Sequence, residues 1–204
     1  MRLYLSPTSP YGRLILAGAL NAGIRDIALN FVDPWTNPAE LEAQNPFSQI
    51  PTLITRDGHT LYDSFIIADY LFDHPIRGGQ AAATLAYARI LLEQTVKYFS
   101  LNRAKPAHGE EHPHIARARD AVIRALPRAP QLQAESRDFA QIALGCALSY
   151  LKLRLPALAE QYLSADNRRA LAAFAQRAEI AATAPEALES RPENINAIFA
   201  KIGK

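Results

Sequence analysis

The order strand, helix, strand at the start of the sequence constrains the fold more than any other feature. Leu3-Tyr4-Leu5 is a short apolar run. After it, Ser9 suits a helix N-cap and Pro10 the first helical position, where proline's missing N–H costs nothing. From Tyr11 onward, Leu14, Ile15, Gly18, Ala19 and Ala22 fall at the spacing of one helix face, and Gly23 suits the stop. Ile27 to Val32 reads as a second strand. Two strands separated by a helix of this length cannot form a hairpin, so they pair in parallel through a right-handed crossover.

The next segment changes period. Asn37-Pro38-Ala39-Glu40 opens a short helical stretch that Asn45-Pro46 closes, because the residue before a proline is pushed out of the helical region. Ile50 to Thr55 and His59 to Tyr62 are β-prone runs joined by Arg56-Asp57-Gly58, a hairpin signal. Asp63 and Ser64 suit the cap of a following helix with apolar positions Ile66, Ile67, Tyr70 and Leu71. The first half therefore reads βαβ-α-ββα, the thioredoxin-like order.

Asp73 to Gly79 breaks that pattern, and helical periodicity without a convincing strand runs from there to the end. Long helices are predicted over about 80–101 and 113–126. Phe139, Ile142, Ala143, Cys146, Ala147, Tyr150 and Leu151 keep the i, i+3, i+4, i+7 spacing and predict the core helix of a second domain, with Asp138 and Gln141 in capping-box positions. Ala170, Leu171, Phe174, Ala175 and Ala178 form one further face, and 194–202 a terminal helix. The expectation is an α/β plus all-α protein: a thioredoxin-like domain over 1–75 and a helical bundle domain over 80–204.

Composition narrows the partners. A chain of 204 residues with 49% hydrophobic content has enough apolar surface for a sizeable core, which excludes disorder as the main state. The formal charge of +2 and the lack of any run of five Lys/Arg argue against nucleic acid. No segment approaches the roughly 18 apolar residues of a membrane helix. Met1 leads directly into the first strand with no signal-peptide pattern. Cys146 alone forms no intrachain disulfide. These features predict a soluble, cytoplasmic protein.

Four segments together resemble the cytosolic glutathione transferase family, in particular its bacterial members, over essentially the whole chain. They are Leu3 to Arg13, Asn45 to Leu53, Leu61-Tyr62-Asp63-Ser64, and Asp138 to Leu151. The resemblance implies a homodimer that takes glutathione as cosubstrate and conjugates its thiolate to a small hydrophobic electrophile. Ser9 falls where the family places its Ser or Cys. A hydroxyl there donates to the glutathione sulfur while the helix N-terminus favours the anion. Serine in place of cysteine disfavours disulfide exchange, since a hydroxyl forms no mixed disulfide. Pro51 matches the family's cis-proline, which exposes the Ile50 backbone to a peptide-like ligand. Asp63 and Ser64 correspond to the pair holding the γ-glutamyl end, and Gln49, immediately before Ile50, is expected at the glycyl end.

Other readings stay open at this level. Tyr4, Ser6 and Thr8 are nearby hydroxyl rivals to Ser9, and Ser9 also reads as a plain N-cap. Trp35 suits either a ligand flank or packing. Residues lining the electrophile site are expected near Tyr87, Lys97, Tyr98 and Asn102. His108, Glu110, Glu111, His112 and His114 have metal-like composition, but their Gly/Pro-containing context reads as a solvated loop, so no metal is expected. A glutathione-dependent isomerase and a non-catalytic binding protein share the same sequence pattern.

Overall fold

The computed structural model describes residues 1–73, 78–104 and 111–203. By contact the chain divides into two compact units, Met1–Pro75 with Gln176–Lys204, and Ile76–Ala175.

In the first unit, β1 (Arg2–Leu5), β2 (Ala28–Phe31), β3 (Thr52–Ile54) and β4 (Thr60–Tyr62) form one sheet in the order β2-β1-β3-β4. β1 and β2 are parallel, with Leu5 opposite Phe31, as the crossover rule requires. β3 runs antiparallel to β1 with Tyr4 opposite Thr52, and β4 antiparallel to β3 with Thr52 opposite Tyr62. The Asp57-Gly58 signal is the β3–β4 turn, where Gly58 takes a φ of 86° open to glycine without strain.

Strand alternation splits the side chains between two faces. Leu3, Leu5 and Leu53 are fully buried. α1 (Pro10–Asn21) meets Leu5, because a Cβ on Gly12 would stand 3.1 Å from the Leu5 Cβ. α3 (Ser64–Leu71) packs against α1. Tyr4, on the alternate face, clusters with Val32 and with Leu41 of α2 (Ala39–Glu42), and Ile50 and Ile54 pack against that cluster.

The second unit is helical. α4 (Gly79–Ala104), α5 (Pro113–Ala125), α6 (Phe139–Arg154), α7 (Pro156–Tyr162) and α8 (Ala165–Gln176) follow in order, and α4 packs on both α5 and α6. α6 is buried on nearly all sides, as a core helix is. Its Gly145 lies under the Phe174 ring, with a would-be Cβ only 2.7 Å from Cε2, so a larger residue there would require the ring to move. Asp138 caps α6 by accepting the Ala140 N–H at 2.9 Å. The predicted capping box is only half formed, because the Asp138 N–H goes to Ser136 Oγ at 3.2 Å and Gln141 Oε1 instead takes the Gln133 N–H at 2.9 Å.

One boundary differs from the expected division into 1–75 and 80–204. The segment from Gln176 onward, with α9 (Ala178–Ala181), α10 (Pro185–Leu188) and α11 (Ile195–Ile202), groups with the sheet unit. Leu29 N donates to Glu193 O at 2.8 Å and Ile195 N to Ile27 O at 2.9 Å, which covers the outer edge of β2. An uncovered edge strand leaves its backbone groups unpaired, and a returning chain end satisfies them. The Arg25 guanidinium also lies 4.0 Å over the Phe199 ring.

Candidate functional site

Strand register decides what gathers at one end of the sheet. Parallel pairing puts the C-terminal ends of β1 and β2 side by side. Antiparallel pairing brings the N-terminal end of β3 and the C-terminal end of β4 to that same end. The turn before α1, the Ile50–Pro51 bond and the Asp63-Ser64 pair thus meet there, together with the N-termini of α1 and α3. Crevices outside strand ends are where open α/β sheets hold ligands.

Ser6 to Ser9 form a turn closed by Ser9 N to Ser6 O at 3.2 Å. Ser9, extended at φ −69° and ψ 119°, caps α1, and its Oγ accepts the Gly12 N–H at 3.1 Å. No acceptor among the described residues takes the Ser9 hydroxyl hydrogen, so capping uses a lone pair and leaves the donor for another group. Among the rivals, Tyr4 is 3% exposed within the α2-side cluster, Ser6 is half-buried and Thr8 is exposed.

The Ile50–Pro51 bond is cis, the geometry expected. Among the described residues, no main-chain hydrogen bond engages the Ile50 N–H or C=O. Gln49 is exposed. Two buried side chains of this loop carry more structure than the sequence suggested. Asn45 Nδ2 donates to Gln49 O and to Thr52 Oγ1, each at 3.0 Å, and Thr52 Oγ1 donates to Gln49 O at 2.8 Å. Asn45 reads in sequence as the residue that ends a helix before Pro46, which hides this second role.

Asp63 caps α3 through Oδ1, which accepts from Phe65 N at 2.8 Å and Ile66 N at 3.4 Å. Its φ of 74° lies where non-glycine residues rarely sit, a conformation that costs on the order of 1–3 kcal/mol and persists only under surrounding constraint. Ser64 is buried at the first position of the helix. Trp35, 77% exposed, stands on a short 3₁₀ turn over Pro34–Thr36 that Asp33 caps at 3.1 Å.

Arg13, one turn into α1, carries no local sequence signal of a tertiary role. It donates from Nη2 to Ile180 O at 3.1 Å, tying α1 to α9. At the opposite end of the sheet, Arg56 bonds Asp26 at 2.6 Å and holds its carboxyl below the usual carboxylate range, chiefly through that hydrogen bond. Among the described residues, no three His, Cys, Asp or Glu side chains are grouped to hold a metal ion. His108 and Glu110 of the sequence cluster lie outside the described residues. Among the described residues, no single helix is long and apolar enough to cross a membrane.

Residues 8–74 match the family model described as glutathione S-transferase, N-terminal domain. The crystal structure of a glutathione S-transferase from Methylobacillus flagellatus KT with glutathione bound is 30% identical. It aligns over 90% of this chain and 98% of that one with a TM-score of 0.76. A glutathione transferase family member from Pseudomonas fluorescens Pf-5 with bound S-(propanoic acid)-glutathione is 25% identical, over 91% and 99% of the two chains, with a TM-score of 0.75. The GST-like protein YibF of Escherichia coli K12 is 26% identical over 170 residues, 76% of this chain and 83% of its own. A sheet unit and a helical unit in this order, a cis bond before β3, and alignment over nearly the whole of a relative at this identity lead to one conclusion: the chain belongs to the glutathione S-transferase family.

Proposed function

We propose that this protein is a glutathione transferase that binds reduced glutathione at the strand-end site, stabilises its thiolate through Ser9, and directs it at a small hydrophobic electrophile. The observation that carries this reading is the Ser9 hydroxyl, whose oxygen takes the Gly12 N–H while its hydrogen has no acceptor among the described residues. A donor at a helix N-terminus favours an anion over its neutral form twice, by hydrogen bond and by the helix dipole. The nucleophile is the ligand's own sulfur, and the proton lost from it leaves to solvent as the thiolate forms. Attack then makes the carbon–sulfur bond of the conjugate, and the displaced electron pair departs with a leaving group or, on addition to a double bond, is protonated from solvent.

The remaining groups complete the ligand's cradle. The Ile50 main chain pairs with the extended peptide beside Pro51, and Gln49 reaches its glycyl end. The Asp63 carboxylate meets the γ-glutamyl ammonium, and Ser64 with the α3 N-terminal amides meets its carboxylate. The glutathione in the Methylobacillus relative and the S-substituted glutathione in the Pseudomonas relative support ligand and product of this type. A cytoplasmic setting, where the glutathione pool is reduced, suits the single buried cysteine, Cys146.

A homodimer belongs to the same proposal. Phe47, 66% exposed, stacks edge-to-face on Tyr62 at 5.7 Å, and Ile66 and Tyr70 are exposed one turn apart on α3. Aromatic and aliphatic groups shown together on one unit suit the covered centre of a subunit interface.

Retention on immobilised glutathione, elution by free glutathione and turnover with an electrophile panel test the reading. A protein that is not retained, or that binds glutathione and accelerates no thiol addition, overturns it.

A further inference from the structure

The geometry points to Asn45 and Thr52 as positioning residues that aim the Ile50 main chain at the ligand, an assignment that rests on the glutathione site proposed above. Both side chains are fully buried. Both donate to one acceptor, the Gln49 carbonyl, at 3.0 and 2.8 Å, and Asn45 also donates to Thr52 Oγ1, so the three groups close a ring.

The consequence follows from peptide planarity. The Gln49 carbonyl and the Ile50 N–H belong to one rigid amide plane and point in opposite directions from it. Two donors that hold the oxygen therefore fix where the N–H points, away from the bracket. That N–H has no main-chain partner among the described residues. Asn45 Oδ1 secures the other side of the loop by accepting Phe47 N at 3.0 Å, and Ser48 N donates to Asn45 O at 2.9 Å. Ser48 between them sits at a φ of 49°, a left-handed conformation that a serine holds when its surroundings dictate it. The whole bracket braces a backbone donor that no described residue uses. Preorganising it means that ligand binding does not have to order the loop.

The test uses the full-length protein and glutathione itself. Thr52→Val keeps the shape and removes the hydroxyl that both donates and accepts within the ring. It is expected to weaken glutathione binding about threefold to tenfold by calorimetry. Turnover at saturating glutathione and the titration of the bound thiol stay at wild-type values, because neither Ser9 nor the α1 N-terminus is touched. Thr52→Ser, which restores the hydroxyl, recovers the affinity. Should Thr52→Val fail to fold, Asn45→Ser removes one donor to the same carbonyl and is read in the same way. Wild-type affinity in a folded variant overturns the inference, as does a loss of turnover and a shifted thiol titration alongside the affinity. Failure of the wild-type protein to bind glutathione is a separate result that removes the site and the bracket's role together.

Discussion

Gly12 donates its N–H to the Ser9 hydroxyl oxygen at 3.1 Å, and Gly12 also lies against β1, with a would-be Cβ 3.1 Å from that of Leu5. One residue therefore seats the helix against β1 and satisfies its cap. Cap and thiolate donor are compatible roles of the same atom.

Removing that hydroxyl separates the two roles. A hydrogen bond to a charged acceptor is worth roughly 1.5–3 kcal/mol, so Ser9→Ala should lower turnover about 10- to 100-fold with little change in glutathione affinity. Loss of the cap should cost about 0.5–2 kcal/mol of stability. Absorbance of the bound thiolate against pH checks the first effect. Superimposable curves with undiminished turnover reduce Ser9 to a cap and turn attention to Ser6 and Thr8.

At Asp63, charge and cap are separable because asparagine caps about as well as aspartate and shares its tolerance of positive φ. Asp63→Asn should keep the unfolding free energy within about 0.5 kcal/mol while weakening glutathione binding about tenfold or more through loss of the ammonium's partner. Calorimetric affinity equal to wild type rules out the anchoring role.

Phe47 tests the proposed subunit interface. Phe47→Asp places a charge where the dimer reading needs a dry contact, and sedimentation should show a monomer at concentrations where the wild type is dimeric. Identical sedimentation of the two proteins removes Phe47 from any interface.

The half-formed capping box at α6 predicts unequal costs. Asp138→Ala should lose about 0.5–2 kcal/mol, since it leaves the Ala140 N–H without its acceptor. Gln141→Ala should lose less, because its side chain serves an exposed bond to Gln133 N instead of the Asp138 N–H. Urea midpoints at unchanged slope measure both.

Burial pushes the Tyr87 hydroxyl up to about 12, and it donates to Ala125 O at 3.0 Å. A raised pKa in the folded state means that the neutral form is favoured there. The associated stability is fully present below about pH 10, the ordinary tyrosine value, and is lost as pH rises towards 12. Tyr87→Phe should flatten part of that alkaline loss in unfolding experiments between about pH 10 and 12. Part remains, because burial also raises Tyr150.

The local elements were legible because their signals are local. Ser9-Pro10 specifies a cap and a first turn by its own chemistry, Asp57-Gly58 a hairpin, and Phe139 to Leu151 a helix buried along its length. The parallel pairing of β1 and β2 follows from the helix between them. The resemblance to a family supplied Pro51, Asp63 and Ser64, whose own sequence context also reads as an ordinary trans proline opening an edge strand and as simple helix capping. Tertiary structure alone decided that 193–195 covers β2, that Arg13 reaches Ile180, and that Phe174 lies on Gly145. It also turned Asn45 from a helix terminator into one side of a buried bracket. Periodicity and caps report what a residue does to its own turn of chain. A hydrogen bond between side chains, or between distant segments, depends on where the strand register has carried both partners, and no property of either residue alone encodes that.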